Sequence, residues 1–157
     1  IIWYGRGPHE NYIDRKASAF VGLYKSIVDD LGFEYSRPQE NGYRTEVRWM
    51  KVLNQNELGF EISGDPLISF SAHYNTIEDF DDGLSPKIPG DNLGTRKRII
   101  KKQRKPIDLV ERDFISLNID LKQMGVGGDN SWGARTLPKY TLQPGNYSYS
   151  FTVKPLD

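Results

Sequence analysis

Leu58-Gly59-Phe60-Glu61-Ile62-Ser63, followed by Ile68-Ser69-Phe70-Ser71-Ala72-His73-Tyr74, decides the fold of this chain. Apolar side chains fall on every second position: Leu58, Phe60 and Ile62 in the first run, Ile68, Phe70, Ala72 and Tyr74 in the second. Successive side chains of an extended backbone point to opposite faces, so a period of two marks a strand with one face on a core. Upstream, Val47 and Trp49 alternate with Glu46 and Arg48, and the connector Asn54-Gln55-Asn56 is short enough to make a hairpin. Alternation returns at Leu117, Ile119 and Leu121, and again at Tyr147, Tyr149, Phe151 and Val153 after the turn Gln143-Pro144-Gly145-Asn146. The pattern predicts an all-β, antiparallel fold with long polar loops, a sandwich or part of one. Residues 17–31 are the exception. There Phe20, Leu23, Tyr24, Ile27, Val28 and Leu31 keep helical spacing, which predicts a helix, with a strand over Val21–Ile27 as the alternative.

A length of 157 residues is one domain, or a large piece of one, and is enough to bury a core. Lys plus Arg and Asp plus Glu balance at 21 each, which argues against a dedicated nucleic-acid or membrane-surface protein. The basic run Arg96 to Lys105 has no interleaved aromatics for base stacking and reads as a solvated loop. No apolar run approaches membrane-spanning length. With no cysteine there is no disulfide, thiolate metal site or cysteine nucleophile. The acids Glu78, Asp79, Asp81 and Asp82 lack the spacing of a calcium loop, so no metal is expected. Of the two histidines, His9 lies in a Pro-containing loop and His73 on the polar phase of its strand, both read as surface positions. The start, Ile1-Ile2-Trp3-Tyr4, reads as the inside of a strand, as in a piece cut from a longer protein. Nothing separates a cytoplasmic from a periplasmic location.

Loops carry function on such scaffolds, and three stand out. The first is Trp3-Tyr4-Gly5-Arg6-Gly7-Pro8-His9-Glu10-Asn11-Tyr12 with Asp14-Arg15; the second is Arg37-Pro38-Gln39-Glu40-Asn41-Gly42. The third runs from Asn118-Ile119-Asp120 through Met124-Gly125-Val126-Gly127-Gly128-Asp129-Asn130-Ser131-Trp132-Gly133. Its glycines permit positive φ and close backbone approach. Asp129, Asn130 and Ser131 place hydrogen-bonding groups beside the flat face of Trp132, a combination suited to sugars. The bland alternative is that Trp132 packs into a core. The glycines do not follow the G-x-G-x-x-G or P-loop pattern of phosphate sites.

In this order and spacing the three loops closely resemble the C-terminal, small-chain domain (domain 5) of glycoside hydrolase family 2 β-galactosidases. The resemblance covers essentially the whole chain, residues 1–157, as the later part of that domain. It implies an antiparallel β-supersandwich similar to galactose mutarotases. It also implies partners: a TIM-barrel domain and other domains of a parent enzyme, a galactoside substrate such as lactose, and a homo-oligomer. Catalysis in that family retains configuration through two glutamates of the barrel, so no catalytic residue is expected here. No cofactor is expected either; the family's Mg and Na sites belong to other domains. Trp132 matches the tryptophan that stacks on the aglycone part of the substrate, with Asp129 and Asn130 beside it in the substrate-binding loop. Gly7, Pro8, Glu10, Asn11, Arg15, Glu40, Asn41, Gly127 and Gly128 match motif positions, read as shaping the loops by hydrogen bonding. Lys105-Pro106 departs from the His-Pro of many relatives, and the stretch from Leu84 to Ile100 is longer than usual. The alternatives are a free-standing carbohydrate-binding module and an epimerase of the mutarotase type, for which Glu10, Glu40 or Asp129 would be the base.

Overall fold

A computed structural model describes residues 1–80, 105–130 and 133–157 of the chain. The described residues fall into two units: residues 1–33, 41–73 and 117–157 form the first, and residues 34–40 and 74–116 the second. The first unit is all-β. Its strands are β1 (Ile2–Gly7), β2 (Phe20–Lys25), β3 (Arg44–Leu53), β4 (Gly59–His73), β5 (Ser116–Asp120, whose first residue falls in the second unit) and β6 (Ser150–Leu156). They form one sheet in the order β2-β1-β3-β4-β5, with β6 paired to β4 beside β5. The pairings β1–β2, β1–β3, β3–β4 and β4–β6 are antiparallel.

The hairpin β3–β4 turns at Asn54. The Glu57 N–H donates to the Asn54 carbonyl (3.1 Å), and the Asn54 side-chain oxygen accepts the N–H groups of Asn56 (2.8 Å) and Leu58 (3.1 Å). Glu57 sits at φ 62°, the left-handed residue that closes a three-residue hairpin loop. Across the sheet, Trp3 pairs with Tyr24 and Met50, Met50 with Ile62, and Ile62 with Val153, so these side chains share one face. The core gathers on that face: Trp3, Leu31, Val47, Met50, Ile62, Ile68, Phe70 and Ala72 are all buried. Trp3 meets Phe70 edge-on at 5.8 Å and Tyr24 at 5.3 Å, offset arrangements that aromatic quadrupoles favour.

Three expectations change. Residues 20–25 are a strand, not a helix, because β1 offers six consecutive pairing partners from Ile2↔Lys25 to Gly7↔Phe20. That ladder overrides the helical spacing, and Phe20, Val21 and Leu23 remain exposed. In β3 the alternation breaks: Val47 and Met50 are buried, while Trp49 pairs with Tyr4 and Ser63 on the opposite face. The register against β4 shifts twice, between Arg44 and Val47, where Glu46 takes φ 55°, and again between Val47 and Trp49, so the phase turns over along the strand. The bulged Glu46 receives Arg6 Nε (2.7 Å) and the Lys16 ammonium. Burial alone would raise the Glu46 carboxyl, but these two cations outweigh it and lower its pKa. In β4, Ser69 and Ser71 are buried along with the apolar phase, and Ser71 Oγ accepts the Asn118 side-chain amide (3.1 Å).

The second unit holds the short helix α1 (Ile77–Phe80) and a 3-10 turn at Pro106–Asp108. Asp79 accepts a forked pair from Arg112, Nη2 to Oδ1 at 2.6 Å and Nε to Oδ2 at 3.0 Å. Arg112, opposed by burial and helped by the Thr76 N–H, holds the Asp79 carboxyl down at about 2. Asp79, one acid of the cluster read in the sequence, is thus a salt-bridge partner. Asp81, Asp82, the longer stretch from Leu84 to Ile100 and the basic run up to Arg104 lie outside the described residues.

Candidate functional site

The first loop folds back on itself through reciprocal backbone bonds, the Tyr12 N–H to Arg15 O (3.1 Å) and the Arg15 N–H to Tyr12 O (2.9 Å). On one side of this pinch lies a buried polar cluster. Glu10 is 7% exposed, and its Oε2 accepts the Gly42 N–H (2.9 Å) and the Tyr12 hydroxyl (3.3 Å) while Oε1 faces Arg15 at 3.4 Å. Asn11 is fully buried; its Oδ1 accepts both the N–H (3.1 Å) and the hydroxyl (2.6 Å) of Thr45, and its Nδ2 donates to His9 O (3.1 Å). Asn41 Oδ1 accepts the Phe33 N–H at 3.0 Å. Glu10 and Asn11 therefore bond the first loop to the residues that open β3, while Asn41 holds Phe33. Tyr12 stacks on Tyr43 in the same place, rings 5.7 Å apart and 9° from parallel.

Arg44 anchors the cluster. It is 2% exposed, donates through Nη1 to the carbonyls of Leu31 and Gly42 (both 2.7 Å) and through Nη2 to Pro8 O (2.8 Å). Its guanidinium lies 5.5 Å from the centre of the Trp3 ring. Burial lowers its pKa to about 10 against the pull of Glu10 and Tyr12, so it stays a cation at neutral pH. His73 belongs here too, not on a solvated face. Its Nε2 donates to Asn41 O (2.9 Å), and its ring lies against Gly42, which has φ +75°. Burial, reinforced by Arg44, lowers the His73 pKa despite the Asn41 carbonyl and Glu10.

On the other side of the pinch is an open pocket of about 300 Å³, lined by Asp14, Arg15, Val126, Gly127, Asp129, Leu137, Lys139 and Tyr140. The glycine loop enters it. The Gly125 N–H donates to Tyr140 O (2.9 Å), and Thr136 Oγ1 donates to Gly125 O (2.7 Å). Gly127 and Gly128 take φ +64° and +84°. The Asp14 carboxylate receives the Val126 N–H on Oδ1 (3.1 Å) and the Gly127 N–H on Oδ2 (2.8 Å). Asp129 and Asn130 are exposed beyond these glycines; Ser131 and Trp132 lie outside the described residues.

The sequence-read positions thus divide. Gly7, Glu10, Asn11 and Asn41 are buried beside or within the polar cluster, and Pro8, joined to Gly7 by a cis peptide bond, gives it a carbonyl. Arg15, Gly127 and Asp129 line the pocket, whereas Glu40 is exposed in the second unit. Asp14, Arg44 and Thr45 carry much of the bonding without having been singled out. Asp14 stood inside the quoted motif, but its partners lie more than a hundred positions away; Arg44 reads as one more strand charge. A base for epimerisation must face its substrate. Of the three bases named for that chemistry, Glu10 is buried and bonded and Glu40 is exposed in the second unit, while Asp129 lines the pocket; His9, which bonds Ser18 Oγ (3.0 Å), and His73 do not line it. Asp120 is half-buried, and burial raises its carboxyl pKa against the opposing influence of Tyr43.

A family model described as the beta galactosidase small chain matches residues 1–153. The β-galactosidase of Priestia megaterium is 39% identical over 158 residues, which cover 99% of this chain and 13% of that protein. That of Vibrio cholerae is 34% identical over 154 residues, covering 98% and 12%. The enzyme of Halalkalibacterium halodurans is 33% identical over 143 residues, covering 90% and 12%. The chain spans only about an eighth of the length of these curated relatives.

Proposed function

Since the chain belongs to the β-galactosidase small-chain family, we propose that it is the C-terminal, non-catalytic β-sandwich portion of a glycoside hydrolase family 2 β-galactosidase. The supporting observation is the coverage: similarity runs along nearly the whole chain, yet the chain equals 12–13% of each relative. The parent enzyme hydrolyses terminal β-galactosides such as lactose with two carboxylates of another domain, and its metal ions are held outside this chain. Residues 1–157 form the later part of a mutarotase-like supersandwich that packs against the catalytic barrel.

Within that role, the glycine loop brings an aromatic platform to the active-site mouth. Trp132 stacks on the aglycone, and Asp129 and Asn130 border it with polar groups. The pocket supports this reading, since it lies beside the loop and already presents Asp129, Arg15 and Lys139 to solvent. A stacking platform contributes about 1–1.5 kcal/mol. In the full-length enzyme, Trp132→Ala is therefore expected to raise the lactose KM about tenfold while leaving a small nitrophenyl galactoside and the melting temperature little changed. A core tryptophan gives the opposite result, a loss of about 3–5 kcal/mol in stability with no preference between substrates.

A further inference from the structure

We propose that Asp14 is a positioning residue: its carboxylate latches the glycine loop in the conformation that disaccharide binding requires. This rests on the reading of the loop given above.

Two consecutive backbone N–H groups, those of Val126 and Gly127, converge on the two oxygens of this one side chain. Such a pair forms an anion-binding nest, and hydrogen bonds to an ionised acceptor are the strong ones. Here the nest is filled from within the protein, by a residue 112 positions earlier. Gly125 shows how closely the carboxylate sits: a Cβ there would lie 2.4 Å from Asp14 Oδ2 and 2.5 Å from its Cγ. Gly125 is not among the glycines with positive φ. Its lack of a side chain is demanded by Asp14, not by its own backbone.

The carboxylate is fixed at its other end too. Asp14 lies within the Tyr12–Arg15 pinch, a few positions after Glu10 and Asn11, which are buried in the polar cluster. The glycine loop is thereby tied to the polar core of the sheet, immediately before Asp129 to Trp132. Removing the tie leaves the stem bonds to Tyr140 and Thr136 and frees the arm that bears the sugar-facing groups.

The test uses the full-length enzyme with Asp14→Ala, Gly125→Ala, both together, and Trp132→Ala. Readouts are KM and kcat for lactose and for a nitrophenyl β-galactoside, melting temperature, and amide exchange of a peptide spanning residues 124–128. Gly125→Ala attacks the same contact from the opposite side. Each single variant is expected to raise the lactose KM about three- to tenfold and to leave kcat for the aryl substrate within about twofold. Amide exchange should quicken, and the double variant should be no worse than the worse single one, because both remove one contact. Unchanged exchange, equal effects on both substrates, or multiplying effects in the double variant overturns the latch. If Trp132→Ala leaves lactose untouched while the two latch variants weaken it, the latch stands and the aromatic platform falls. If only Trp132→Ala acts, the platform stands and the latch falls; if none acts, both fall.

Discussion

His73 gives the clearest residue-scale consequence. Its Nε2 bonds the Asn41 carbonyl inside the polar cluster, and burial first, then the nearby Arg44 charge, holds its pKa below the ordinary 6.5. The folded chain therefore prefers the neutral ring. As pH falls through 6.5, the unfolded chain takes up its proton before the folded one does. The stability from His73 is full above that pH and is lost as pH falls toward the lower folded value. His73→Gln keeps an N–H donor for the carbonyl but does not titrate. Thermal melts from about pH 8 to about pH 5 should show a smaller fall for the Gln variant than for wild type. An equal fall in both would assign the pH dependence to another group.

At the scale of elements, the β3–β4 hairpin carries a removable strain. Glu57 is exposed and holds φ 62°, where an L side chain crowds its own carbonyl. Glycine takes that conformation freely but adds entropy to the unfolded chain, which offsets part of the gain. Glu57→Gly should therefore stabilise by about 0.5–1 kcal/mol, raising the melting temperature by a few degrees. A lowered melting temperature would mean that the Glu57 side chain contributes more than its backbone costs. The bulge at Glu46 is the contrasting case. Its left-handed backbone aims a carboxylate at Arg6 and Lys16, which ties the segment before β2 to the sheet. Arg6 Nη1 extends the tie to Ala19 O (2.7 Å).

At the scale of the molecule, the sheet is unevenly covered. Phe151 and Val153 of β6 pair with Gly64 and Ile62, so they point to the core face, yet they are 45% and 52% exposed. Among the described residues β6 pairs with β4 alone, which leaves an edge beside an apolar patch. Unpaired edges and exposed apolar surface both promote association. Isolated, the chain is expected to self-associate in sedimentation equilibrium and to leave a chromogenic β-galactoside intact. Phe151→Lys with Val153→Thr should shift it toward monomer. A monodisperse wild-type monomer with a high melting temperature would refute the view that this face is built to be covered.

The sequence by itself determined the β class, the β3–β4 hairpin, the strand regions at 58–74 and 117–121, the later part of the run at 147–153, and the family, because these rest on local periods, turn residues and motifs; Tyr147 and Tyr149 precede the strand that begins at Ser150. Only the tertiary structure decided the rest. Whether residues 20–25 coil or extend depended on the free edge of β1, and the phase of β3 turned on two register shifts against β4. Arg44 looks like any strand arginine until Leu31, Gly42 and Pro8 bring their carbonyls to it. Asp14 and Gly127 stand 113 positions apart. A hydrogen bond across that distance leaves no mark on local spacing, since the backbone amides it uses are common to nearly every residue type.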